Sequence, residues 1–287
     1  MCNSHNETMR SGQALVMILL LLSVVITIGL AISSRSVTEV AISTTQEESA
    51  RALAAAEGGI EAALAGRVAT GTTVNVGTTG TYVVAAPSQY GAGTQVTFAE
   101  GVKAGEAATV FLLAHDTNGS LVVNNQRYTG SSVVVCWGES GSSSVVPALE
   151  AILYYQSGAN YLASRAVYDS QGTGRTLGSV APDGNTSGCP TGKNYAFKKT
   201  VDFSASGLNI GSGTPYYLRL KLAYNGNTGS PVGVGRVGTS QFPTQGQLVT
   251  STGQAGQTSR KVQVVQRYSD PLPYLDNAVF SGGSLNK

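Results

Sequence analysis

The stretch ALVMILLLLSVVITIGLAI, residues 14–32, decides the architecture of this chain. It holds nineteen residues without a charge and follows a short polar opening that ends in Gly12 and Gln13. A helix of that length covers about 28 Å, close to the ~30 Å hydrocarbon thickness of a bilayer. A secretory signal peptide would have a shorter apolar core and a small-residue cleavage site after it, and neither is present. The stretch therefore reads as a membrane helix that stays with the protein.

The helical signal does not stop at Ile32. No proline occurs from Ser33 to Gly66, and TQEESARALAAAEGGIEAAL, residues 45–64, is dense in alanine, glutamate and leucine, which lose little side-chain entropy in a helix. Ile42, Gln46, Ala50, Leu53, Ala56, Ile60 and Leu64 recur at spacings of three, four and seven and make a narrow, largely apolar stripe. Glu47, Glu48, Arg51, Glu57 and Glu61 lie mostly off it. One helix is expected over 13–66, a rod of about 80 Å with half of it in lipid. Gly29 and the Gly58, Gly59 pair are the places where it should bend or loosen.

RSGQALVMILLL at 10–21, a glycine-ended leader running into an apolar helix, resembles the type IV pilin superfamily, including the pseudopilins of type II secretion. ALAAAEGGIEAA at 52–63 is similar to the alanine-rich segment of PilX-type and GspK-like minor pilins. The likeness covers the first 66 residues. It implies a leader over 1–12 removed by a prepilin peptidase between Gly12 and Gln13, with the new amine left in the membrane. Pilins usually carry a glutamate five residues after the cut, where it compensates the amine of a neighbouring subunit; here that position is Met17. An intramembrane carboxylate costs several kcal/mol unless it gains a partner, so this subunit does not make that pairing. PilX-type and GspK-like subunits resemble it in this, and the likeness implies a minor, tip-associated place that initiates assembly. Implied partners are other pilin-like subunits, the prepilin peptidase and the inner-membrane assembly machinery.

After Gly66 the composition changes. Charged residues are only 12% of the chain, and 36 glycines with many serines and threonines punctuate stretches rich in β-branched and aromatic residues. Strands are expected at 81–85, 95–99, 108–114, 132–137, 150–156, 161–168, 195–203, 216–224 and 259–267. In the run at 216–224, Leu218, Leu220, Leu222 and Tyr224 fall on one face, with Arg219 and Lys221 on the other. The fold class is thus α+β: one long N-terminal helix, transmembrane then amphipathic, and a large antiparallel β-rich head over 67–287. The glycine- and serine-rich interval 170–192 is the best candidate for a long surface loop or subdomain joint.

Cys2 lies in the leader, leaving Cys136 and Cys189 as an even pair. A disulfide between them suits an extracytoplasmic head, and two free thiols are the alternative. Catalytic chemistry is not expected. The only histidines are His5, in the leader, and His115, which precedes DTNGS and reads as an exposed turn residue. No metal site, cofactor or catalytic set emerges, and DTNGS at 116–120 lacks the later glutamate of a calcium loop. Lys198, Lys199, Arg219, Lys221, Arg260 and Lys261 invite the thought of a nucleic-acid face with Tyr195, Tyr216 and Tyr217 beside it, but solvated strand faces explain them, and DNA contact is not expected. Thirteen tyrosines on a nearly neutral chain of net charge +2 suit an adhesive surface equally well.

Two functions fit the sequence. One is a minor pilin-like structural subunit of a type IV pilus or type II secretion pseudopilus, first held in the cytoplasmic membrane with its head outside and then assembled into a filament. The other is a single-pass, membrane-anchored adhesin or binding protein that never enters a filament.

Overall fold

A computed structural model describes residues 8–116, 118–141, 145–204 and 207–271. Cys2, His5 and the rest of 1–7 lie outside the described residues. Among the described residues the elements are one helix, α1 (Thr8–Leu64), and fifteen strands. These are β1 (Thr73–Val76), β2 (Gly80–Val84), β3 (Ser88–Tyr90), β4 (Gln95–Thr97), β5 (Ala107–Phe111), β6 (Leu113–His115), β7 (Leu121–Arg127) and β8 (Ser132–Glu139). They continue with β9 (Ala148–Ser157), β10 (Asn160–Tyr168), β11 (Tyr195–Asp202), β12 (Thr214–Ala223), β13 (Val232–Arg236), β14 (Gly246–Ala255) and β15 (Thr258–Arg267). The α+β architecture is as the sequence implies. Every expected strand is present, with 108–114 divided into β5 and β6. Strands β1, β3, β7, β13 and β14 come in addition.

The chain divides into two compact units, 1–86 with 249–264, and 87–248 with 265–287. The boundaries fall at Ala86/Pro87 and inside β14 and β15, whereas 170–192 lies wholly within the second unit.

In the first unit α1 continues through Gly29, Gly58 and Gly59 without a break. Its residues 13–47 are exposed all round, and it begins to pack near Glu48. The buried face is Ala52, Ala55, Ala56, Gly59 and Ile60, set against Tyr82, Val84 and Val249. This corrects the sequence-based stripe, because Leu53 and Leu64 remain exposed and only Ala56 and Ile60 of its last four members pack. The reason is how near the helix comes to the sheet. A Cβ added at Gly253 of β14 would land on the Ala52 carbonyl oxygen and 2.5 Å from the Ala56 nitrogen. A Cβ at Gly59 would meet the Ser251 hydroxyl and stand 2.8 Å from Tyr82 Cδ2. Backbones this close admit only glycine and alanine, so Gly59 serves contact rather than bending.

The second unit is a sandwich of two four-stranded antiparallel sheets, ordered β10-β9-β12-β5 and β11-β8-β13-β4. Ala108, Val110, Leu149, Leu153, Leu218 and Leu220 from one sheet and Val133, Val135, Trp137, Val201, Val232 and Val234 from the other form a single core. The Trp137 indole N–H donates to the Pro147 carbonyl at 2.9 Å, so the largest core side chain leaves no polar atom unpaired. Strand β8 is buried on both faces. On its second face, Val134 and Cys136 pack against Tyr195, Cys189 and Val237. The disulfide is formed, with Cys136 and Cys189 5.8 Å apart at Cα and 53 residues apart in sequence.

The interval 170–192 is a loop tied down at several points. Asp169 is buried and accepts from Arg175 Nε at 2.9 Å and from the Thr176 hydroxyl at 2.7 Å. Val180 bridges Tyr168, Asp183 bridges Lys198, and Cys189 is held by its disulfide. Burial pushes the Asp169 carboxyl up, but hydrogen bonds from Arg175, Thr176 and the Gln171 N–H, with the Arg175 charge, outweigh it and hold the group at about 2.

Candidate functional site

Three regions bear on function: the exposed part of α1, its attachment to the first unit, and an aromatic surface on the second.

Among the described residues, α1 is the one helix long and apolar enough to cross a membrane, with a mean hydropathy of 3.1 over its most apolar window. Every large side chain from Leu15 to Ile32 is exposed, Met17 at 71%. The hydroxyls in this stretch turn inward on the helix itself: Ser23 donates to the Leu20 carbonyl at 2.8 Å and Thr27 to the Val24 carbonyl at 2.9 Å. That leaves no side-chain donor unpaired toward an apolar surround. The first charges beyond it, Arg35 and Glu39, pair one turn apart at 3.2 Å. The bond between Gly12 and Gln13 lies inside the helix, which begins at Thr8.

The attachment of α1 is polar as well as apolar. Glu48 accepts from the Gln257 N–H at 3.2 Å and the Thr258 hydroxyl at 3.3 Å. Ser49 accepts from Arg260 Nε at 2.8 Å. Gly256, at φ +55° in the turn between β14 and β15, leaves room for the Glu48 carboxylate that a side chain there would strike.

The basic residues do not make one face, which corrects the notion of a shared basic stripe. Lys198 and Lys199 sit on β11, bonded to Asn185 at 2.9 Å and to the Ala181 carbonyl at 3.0 Å. Arg219, only 2% exposed, donates to Thr109 at 3.3 Å and to the Pro271 carbonyl at 2.9 Å. Arg260 belongs to the first unit. Tyr195 is buried beside the disulfide rather than near a basic face. Tyr224 is exposed with φ +66°, so it leaves the core row that Leu218, Leu220 and Leu222 keep.

His115 is not an exposed turn residue. It ends β6, half-buried, with its ring stacked 3.7 Å from Tyr268 and edge-on to Phe111 at 4.4 Å. Burial lowers its pKa, against a smaller opposing pull from Asp116, so the imidazole stays neutral to a lower pH than a free one. Asp116 is a turn residue, accepting from the Asn118 and Ser120 N–H groups at 2.8 and 2.9 Å. No group of three or more His, Cys, Asp or Glu is placed to hold a metal among the described residues.

The third region was only partly visible in the sequence, as the doublets Tyr154–Tyr155 and Tyr216–Tyr217. In the register of the sheet Tyr154 opposes Tyr217 on one side and Ala163 on the other, while Gln156 opposes Tyr161. Opposed residues of antiparallel strands share a face, and so do residues two apart, so these form two adjoining rows. A bulge between Pro215 and Tyr217 turns Tyr216 toward the same side, where its ring meets Tyr161 edge-on at 5.7 Å. Tyr154 and Tyr217 stack at 4.7 Å. The Tyr216 hydroxyl donates to Gln156 Oε1 at 2.5 Å. With Tyr155, Leu162 and Ala163 these rings line a cavity of about 330 Å³. Desolvation first, and then the Tyr161 hydroxyl, raise the Tyr216 pKa, so the phenol stays neutral.

No family model, no curated protein and no solved structure matches this chain.

Proposed function

We propose that this protein is a minor pilin-like structural subunit, processed between Gly12 and Gln13 and assembled through α1 into a filament near its tip. The observation that carries the reading is the division of labour along α1. Among the described residues, 13–47 are exposed all round, while 48–60 are clamped to β2, β14 and β15 by small-residue packing and by Glu48 and Ser49. A helix that only anchored its head would need about twenty apolar residues, yet the exposed stretch continues well beyond Ile32. That extra length suits packing among like helices. Its apolar half suits storage in a bilayer first.

Met17 sets the position in the filament. Without a carboxylate there, entry beneath an existing subunit is disfavoured because the neighbouring amine stays uncompensated in an apolar surround. Immunogold labelling of filaments from cells carrying the wild type or Met17→Glu tests this. Label confined to tips in the wild type and spread along the shaft in the variant supports the assignment; unchanged placement contradicts it.

One observation favours the anchored-adhesin reading instead. The Gly12–Gln13 bond lies inside α1, so a peptidase must unwind the first turns of the helix to reach it. In that reading the chain keeps its leader and the head acts from a fixed membrane anchor.

A further inference from the structure

We propose that the tyrosine-lined cavity on β9, β10 and β12 binds a neutral carbohydrate of one or two rings. The walls are the rings of Tyr154, Tyr161, Tyr216 and Tyr217 with Ala163, and among the described residues no charged side chain lines the cavity. The next row on that face holds Arg165 and Arg219, both opposite Ile152; Arg165 is paired with Glu150, and Arg219 is buried and donates to Thr109 and the Pro271 carbonyl. An anionic ligand such as a phosphate or nucleic-acid backbone would meet no cation there. A wholly apolar ligand would be better served by leucine and phenylalanine than by phenols, whose hydroxyls want polar partners. A sugar ring presents a C–H face for aromatic rings and hydroxyls along its edge, and this wall offers both.

The site is also pre-arranged. Tyr161 is 72% exposed, a large ring held in solvent, and it is steadied edge-on by Tyr216, whose hydroxyl is fixed by Gln156. Rings held this way lose little freedom on binding. The cavity volume of about 330 Å³ lies at the small end of ligand pockets, which limits the occupant to one or two rings. This inference concerns the head alone and stands or falls separately from the assignment of α1.

The test is saturation-transfer NMR on the full chain in lipid nanodiscs, since sugar-headed detergents would compete, with maltose, cellobiose and diacetylchitobiose as probes at millimolar concentration. At least one should receive saturation. Tyr161→Ala should weaken it about tenfold, and Tyr216→Phe, which keeps the ring but removes the bond to Gln156, should weaken it less. Both variants should keep the wild-type circular dichroism and the disulfide, because Tyr161 is exposed and Tyr216 lies outside the core. No saturation of any probe, saturation unchanged by Tyr161→Ala, or Tyr161-dependent self-association without sugar binding would each overturn the proposal.

Discussion

Gly253 sets how close α1 comes to its sheet. Its missing side chain lets the strand touch the helix backbone at Ala52 and Ala56. Gly253→Ala should therefore destabilise the first unit by about 1–3 kcal/mol through overpacking, seen as a lower urea midpoint. The conservative look of that change is misleading, because the atoms it strikes are backbone. Asp169 makes a second prediction at this scale. Its carboxyl is held at about 2, below the 3.8 of an unperturbed group, so its ionised form stabilises the fold. That contribution is full above about pH 4 and is lost as the pH falls towards 2, amounting to about 2 kcal/mol. Urea midpoints measured across that window should fall more steeply for the wild type than for Asp169→Asn; parallel curves would show that the Arg175 and Thr176 contacts do not act on stability.

The disulfide gives the clearest prediction for an element. It ties β8 to the 170–192 loop across 53 residues, and the chain-entropy picture assigns such a closure about 4 kcal/mol. The double variant Cys136→Ala, Cys189→Ala should lose about 3–4 kcal/mol, with the loop becoming protease-sensitive before the sandwich does. Leu53 and Leu64 predict the opposite pattern. Both are exposed in the single chain, so Leu53→Ser should change its stability by less than about 0.5 kcal/mol. In the proposed filament the same residue faces a neighbouring helix, and recovery of the protein in sheared filaments should drop.

Elements also show which parts of the fold were legible in the sequence. The helix, the nine strand segments and the cysteine pair could be read because each rests on local pattern: continuous apolarity, β-branched runs, an even pair of thiols. Strand β14 could not, since GQLVTSTGQA is polar and glycine-bearing and is held by pairing with β2 and β3 and by the approach of Gly253 to α1. The helix stripe was misread for the same reason. Its packed face is made of alanine and glycine, which carry almost no hydrophobic signal, and the leucines beside them point away. His115 and Arg219 were misplaced because Tyr268 and Pro271, far along the chain, cover them. The tyrosine cavity depended on register and on a bulge, neither of which composition reveals.

At the scale of the molecule, one stretch of chain is finished by its own fold and another is not. The sandwich has a continuous core, a disulfide and buried polar groups bonded within it such as Gln245, whose amide exchanges bonds of 2.8 and 2.9 Å with the Phe111 backbone. Among the described residues nothing covers the exposed run of α1 in this way, and its apolar surface suits lipid or other helices. In the proposed filament pathway it meets both in turn, after a peptidase has removed the leader. Mass spectrometry of the intact protein recovered from sheared surface filaments tests this most directly. The expected chain begins at Gln13 and carries one disulfide; a chain beginning at Met1, found only with the cell membrane, would contradict the proposed processing and assembly.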